Sequence, residues 1–187
     1  MQQIKTNAMP YNLEAEQSVL GSFLIDMEYQ YEIMSRLKEI DFYLESHKLI
    51  FDAMSAIINS NKPIDLVTLS DMMEKKATLD KAGGIEYLTD LARITPSAAN
   101  YEYYLDIVKR DSTLRRLIRG AEDIIKECKN SSDYHRSVSL AEKSVYDISE
   151  ELDNSTLTNI NASFNSILEK FENIQKDKNY LQVHPGK

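Results

Sequence analysis

The sequence predicts an all-α protein: a compact helical N-terminal domain, then an antiparallel helical hairpin, then a tethered amphipathic linker helix. Three observations carry this. Between Pro96 and Pro185 there is no proline and one glycine, Gly120, so helices meet almost no breaker across half the chain. Apolar residues recur at spacings of three and four and do not alternate, which is the period of helix and not of strand. Only 5 glycines and 4 prolines serve 187 residues, too few turn formers for a sandwich or barrel.

Taken in order, Met1 to Met9 is polar and aperiodic and reads as a loose tail. Asn12 is a helix N-cap, with Glu14 and Glu16 in the first turn, where the helix dipole and solvent favour them. The helix from Leu13 to Ile25 turns Ala15, Val19, Leu20, Phe23 and Leu24 inward, and Gly21 lets a neighbouring helix approach. A second helix, Glu28 to Leu37, offers Tyr31, Ile33, Met34 and Leu37. A third, Ser46 to Ile58, has a wide apolar stripe of Leu49, Ile50, Ala53, Met54, Ile57 and Ile58. Thr68 with Asp71 has capping-box spacing for the fourth, with Asp65 as a rival cap. Leu69, Met72 and Met73 point inward from it. Gly83-Gly84 breaks the chain before a fifth helix, with Ile85, Leu88, Leu91 and Ala92 on one side.

From Ala98 the pattern is helical again. Tyr101, Tyr104, Leu105 and Val108 form one stripe. The in-phase positions that follow, Asp111 and Ser112, are polar, which predicts a kink or handoff where the helix leaves the head and becomes the first hairpin arm. Leu114, Leu117, Ala121, Ile124 and Cys128 then form a heptad-like seam. After Asn130 to Asp133, Tyr134, Val138, Ala141, Val145, Ile148 and Leu152 form a second. The two seams predict the inner contact of a hairpin. Phe164, Ile167, Leu168, Phe171 and Ile174 mark one more amphipathic helix. The expected divisions are a tail over 1–9, a globular head over 10–108, the hairpin over 109–152, a linker over 153–160, a linker helix over 161–176 and a second tail over 177–187.

Chemistry is sparse. There is no phosphate loop of the G-x-x-x-x-G-K-[ST] type. His47, His135 and His184 are too scattered to pair on a metal. Cys128 sits on the apolar seam and reads as a core thiol. No catalytic, cofactor or metal residue is expected. The net charge of -8 disfavours independent binding to nucleic acid. One cysteine fits a reducing, cytoplasmic setting, and no apolar run approaches a membrane span. Lys109, Arg110, Arg115, Arg116 and Arg119 cluster five cations within eleven residues. That cluster reads first as a solvated face, and otherwise as a contact for an acidic partner through Arg115, Arg116 and Arg119.

The strongest signal is surplus apolar surface. Ile118, Ile125 and Leu140 flank the hairpin seams, and Phe164, Ile167, Phe171 and Ile174 have no partner left in the chain. Such surface implies assembly more than catalysis. The expected hairpin and dimer residues are Leu114, Leu117, Ile118, Ala121, Ile124, Ile125, Val138, Leu140, Ala141, Val145 and Ile148.

Ten consecutive residues, Asn12-Leu13-Glu14-Ala15-Glu16-Gln17-Ser18-Val19-Leu20-Gly21, resemble the opening motif of the bacterial replicative DNA helicases of the DnaB family. Further landmarks follow in order: Asp41-Phe42-Tyr43, Ser46-His47, Ile50-Phe51, Pro63-Ile64-Asp65-Leu66-Val67-Thr68, Gly83-Gly84-Ile85-Glu86-Tyr87-Leu88-Thr89, Tyr103-Tyr104 with Ile107-Val108, and Leu114-Arg115-Arg116-Leu117-Ile118. The resemblance implies the family's N-terminal collar domain, hairpin and linker helix, from Pro10 to Gln175. It implies dimers through the hairpin, a trimer of dimers, and docking of primase and of a helicase loader. The linker helix would pack, through Phe164, Ile167, Leu168, Phe171 and Ile174, on the motor domain of a neighbouring subunit. The family's RecA-like motor and its Walker motif do not appear in this sequence. ATP and magnesium are therefore expected only with that domain, and this chain is expected to be non-catalytic alone. The alternative expectation is a stand-alone regulator that co-assembles with a host helicase.

Overall fold

The computed structural model describes residues 8–27, 29–95 and 100–150. Among them there are seven α-helices and no strand. They are α1 (Leu13–Ile25), α2 (Gln30–Arg36), α3 (Glu45–Asn59), α4 (Leu66–Lys75), α5 (Gly84–Ile94), α6 (Tyr101–Asn130) and α7 (134–150). Short 3-10 turns, Glu39–Asp41 and Asp80–Ala82, precede α3 and α5. The linker at 153–160, the linker helix with Phe164, Ile167, Leu168, Phe171 and Ile174, and both tails at 1–7 and 177–187 lie outside the described residues. No described helix is long and apolar enough to cross a membrane.

The head is built around α1, which packs on α3, α5 and α6. Its apolar positions are spaced so that Ala15, Val19, Leu20 and Phe23 are all buried. Phe23 meets Phe51 of α3 edge to face at 5.9 Å. The expected inward faces of α3 and α4 hold, with Ile50, Ala53, Met54, Ile57, Leu69 and Met73 buried. Two expectations fail at head rims. Tyr31 is 68% exposed, and Ile85 sits outward at the start of α5 while Leu88 and Leu91 face in. A single turn of apolar pattern does not say which end of it touches the core.

At Gly21 α1 and α5 come close together. A Cβ there would lie 2.5 Å from the Leu91 carbonyl oxygen, so only glycine fits. Gly83 adopts φ +102 between the second 3-10 turn and α5, a left-handed conformation.

Two helix starts differ in how they are capped. Asp65, not Thr68, is the N-cap of α4. Its carboxylate accepts from Thr68 N–H at 2.7 Å while Thr68 Oγ1 accepts from Asp65 N–H at 2.9 Å. The Thr68 N–H, and after it the Thr68 hydroxyl, hold the Asp65 carboxyl below its ordinary pKa. α3 begins after Leu44, which has no capping side chain. Glu16 of α1 supplies the cap from across the core, accepting from Tyr43 N–H at 2.7 Å and from Leu44 N–H at 3.5 Å. Glu16 is therefore buried, where a solvent-facing role at the dipole was expected.

The same carboxylate accepts from His47 Nδ1–H at 2.6 Å. His47 Nε2 lies 2.6 Å from the Tyr87 hydroxyl, which also accepts from Gln17 Nε2 at 3.2 Å. Glu16 cannot donate when ionised, so the partners assign the Nδ1–H tautomer, with Tyr87 O–H donating to Nε2. Burial pushes the Tyr87 hydroxyl pKa up, the Gln17 bond opposes it, and the Glu16 charge adds to the rise.

α6 is one helix of 30 residues, about 45 Å long at 1.5 Å per residue. Of the kink or handoff expected at Asp111-Ser112, the kink is absent, and both residues are buried. Polar side chains at in-phase positions mark a polar contact with the head, not a break. Beyond Arg115 no residue of α6 is buried. The helix leaves the head there and becomes the first hairpin arm. Residues 131–133 turn the chain, and α7 returns antiparallel. An Arg136–Glu127 ion pair of 3.0 Å closes the tip. Halfway along, a Cβ on Gly120 would stand 3.5 Å from Ser144 Cβ.

Candidate interaction surface

The seam of the hairpin mixes small and polar residues with three large apolar ones. α6 presents Gly120, Ile124 and Glu127, and α7 presents buried Ser137 and Ile148 with half-buried Leu140, Ala141 and Ser144. Most of the heptad-spaced residues expected in that seam are outside it. Leu114, Leu117 and Ala121 on α6 are exposed, as are Tyr134, Val138 and Val145 on α7. Cys128 is exposed as well, not a core thiol. Among the described residues of that set, Ile124, Ala141 and Ile148 alone turn toward the seam, and Leu152 lies outside the described residues.

The displacement has a consistent sense. Counting about 100° per residue from Gly120, Leu114, Leu117, Ile118, Ala121 and Ile125 lie roughly 60° to 160° around α6 in one direction. Counting likewise from Ser144, Tyr134, Val138 and Val145 lie roughly 80° to 120° around α7 in the same direction. Equal displacement on antiparallel helices brings both stripes to one side of the hairpin. The opposite side confirms the geometry. There, Asp123, Lys126, Glu127 and Asn130 of α6 and Arg136, Ser139, Leu140 and Lys143 of α7 line one groove of about 540 Å³. Among the described residues the hairpin thus has a charged face with a groove and an apolar face without cover. On the apolar face Ile125, Val138 and Val145 are each more than half exposed, at 54%, 51% and 57%.

The basic cluster divides in two. Arg115, expected at the surface, is buried. It donates to the Pro10 carbonyl at 2.8 Å and the Asp41 carbonyl at 2.5 Å, and it lies 5.7 Å over the Tyr43 ring. Burial lowers its pKa while the Glu16 and Asp41 charges raise it, so it stays a cation as arginine does. Lys109 reaches Asp41 at 3.1 Å. Arg110 pairs with Asp111 at 2.8 Å. Arg116 is half-buried and Arg119 exposed. Sequence reasoning missed Asp41, Glu16, Ser112 and His47, because their partners lie 27 to 74 residues away. Among the described residues no cluster of His, Cys, Asp or Glu could hold a metal ion.

The described residues thus form an all-α head whose last helix runs on into a hairpin with one exposed apolar face. Residues 8–110 match the family model described as the DnaB-like helicase N terminal domain. The chain belongs to that family. It is 38% identical over 176 residues to the replicative DNA helicase DnaB of Buchnera aphidicola, covering 84% of this chain and 37% of that protein. It is 36% identical over 168 residues to the replicative DNA helicase DnaC of Bacillus subtilis, covering 89% of this chain and 36% of that protein. The chain thus spans little more than a third of the length of these curated relatives. In structure it is similar to the N-terminal domain of DnaB helicase from Mycobacterium tuberculosis, with a TM-score of 0.72 and 31% identity over 75% of this chain and 99% of that one. It is also similar to a DnaB-like replicative helicase whose structure describes that protein's interactions with primase. There the TM-score is 0.63 and the identity 25%, over 73% of this chain and 31% of that one.

Proposed function

We propose that this chain is the oligomerisation and primase-docking module of a hexameric replicative DNA helicase. The observation that carries the reading is the bare apolar face shared by α6 and α7. Its residues follow heptad spacing, yet they do not meet inside the hairpin. They fit a second hairpin laid against the first, burying on each copy what neither buries alone. Family membership and the primase interactions described for one structural relative support the second half of the reading. Primase, and a helicase loader where one exists, would dock on the collar formed by such pairs. ATP hydrolysis and unwinding would belong to a motor domain of the kind the longer relatives carry.

Light scattering on the purified chain over a wide concentration range tests the first half. Dimers or larger species that grow with concentration are expected, and a strict monomer throughout would overturn it. Isothermal titration with the cognate primase tests the second half. Saturable binding is expected, and no heat at micromolar concentrations of either partner would remove primase docking from the role of this segment.

A further inference from the structure

Asp41 sits at the end of the first 3-10 turn with 1% of its surface exposed, and four donors converge on it. Its Oδ1 accepts from Ser112 Oγ–H at 2.6 Å. Its Oδ2 accepts from Lys38 N–H at 2.9 Å and from Lys109 Nζ at 3.1 Å. Its carbonyl accepts from Arg115. Three of those four donors come from α6, at positions 109, 112 and 115. Spaced three apart, they run as one slanting line along the helix surface. Apolar contacts from Leu105 and Val108 hold α6 against the head, but greasy surfaces resist rotation weakly. Directional hydrogen bonds to the carboxylate and carbonyl of a single buried residue resist it strongly.

The rotation matters because of what α6 carries further along. Counting about 100° per residue from Ser112, the apolar residues Leu114, Leu117, Ile118, Ala121 and Ile125 lie roughly 140° to 240° around the helix. The pairing face therefore points away from the side that grips the head. Because α6 is unbroken from Tyr101 to Asn130, its setting at Ser112 is its setting at Ile125.

We propose that the Asp41 node is a positioning device: through Lys109, Ser112 and Arg115 it fixes the azimuth and direction of the hairpin relative to the head, and so presents the apolar face in the one orientation that pairs productively. The consequence for pairing rests on the oligomerisation role proposed above. The positioning itself does not.

The test reads the two separately. Cys128 is the single cysteine of the chain and is exposed in the last turns of α6, so a nitroxide there reports where the hairpin points. A second label, introduced through Asp71→Cys on the exposed side of α4, reports the head. In spin-diluted full-length chain, the distance distribution between the two labels should be narrow. In Ser112→Ala, and in the milder Asp41→Asn, it should broaden or shift while helix content stays unchanged. Association should weaken by about tenfold, the scale of losing one hydrogen bond to a charged group. An unchanged distribution in both folded variants would overturn the positioning role whatever the oligomeric state. A parent chain that never associates would remove the pairing role instead, and leave the distance result standing. If Ser112→Ala fails to fold, Asp41→Asn decides alone.

Discussion

The carboxylate of Glu16 lies 2.6 Å from Nδ1 of His47, with both side chains essentially out of solvent. One group on α1 thereby caps α3 and orients a ring that reaches α5 through Tyr87. Glu16→Ala would leave two backbone amides and an imidazole N–H unpaired in the core. The expected loss is about 3 kcal/mol or more. Glu16→Gln keeps a carbonyl acceptor and should cost about half as much. Urea unfolding followed by circular dichroism measures both, and equal stability of all three proteins would refute the cap.

Gly21→Ala should destabilise the head even though alanine is the better helix former by about 1 kcal/mol. The added methyl meets the Leu91 carbonyl and the Thr95 side chain, and crowding of this kind costs about 1–3 kcal/mol. A fall in melting temperature is expected. A rise would mean that α1 and α5 separate more easily than their packing implies.

Ile125→Asp leaves the fold alone, because Ile125 is 54% exposed and surface changes move stability by only about 0.5 kcal/mol. Within a paired apolar face, however, an unpartnered carboxylate costs about 2 kcal/mol or more. Sedimentation velocity should show self-association abolished or weakened at least about 30-fold. Ser139→Asp, on the charged face lining the groove, serves as the control and should assemble normally. If the two variants behave alike, the pairing face has been assigned to the wrong side.

Tyr101 gives the head an alkaline limit. Its hydroxyl is buried and donates to Glu32 at 2.6 Å. Burial first, then that bond and the Glu32 charge, raise its pKa above the ordinary value of 10.0. The unfolded chain releases this proton near pH 10 while the folded chain keeps it. Stability from Tyr101 is therefore complete below pH 10 and falls as pH rises beyond it. Tyr101→Phe should cost about 1 kcal/mol at pH 7 and flatten the decline between pH 10 and 11. Thermal melts across that range check the difference in slope.

The helices of the head were legible because their apolar spacing is regular, and so was the reason for Gly21. The direction of the hairpin faces was not. Heptad spacing identifies Leu114, Leu117, Val138 and Val145 as one apolar stripe per arm, but periodicity is silent on whether a stripe meets its own chain or another. The seam combines Ile124, Leu140, Ala141 and Ile148 with Gly120, Ser137 and Ser144, and these last three carry no apolar signature at all. Asp111 and Ser112 were read as an interruption because they are polar where the stripe continues. The same fact, taken at its phase, places them against the head. Glu16 and Asp41 could not be read locally, since a carboxylate looks alike in solvent and in a core until its donors are known.

The small residues in the hairpin seam have a consequence for motion. A contact in which Gly120, Ser137, Ala141 and Ser144 stand beside half-buried Ile124 and Leu140 brings two backbones close and buries one large apolar side chain, Ile148, so it contributes less than the Phe23–Phe51 region of the head. Opening of α7 from α6 is then a cheap sub-global event, and its amides should exchange with deuterium orders of magnitude faster than those of α1 and α3. Covering the apolar face would slow that exchange most where it is fastest. Association of this module would thus complete the ordering of the hairpin as well as join two copies of it.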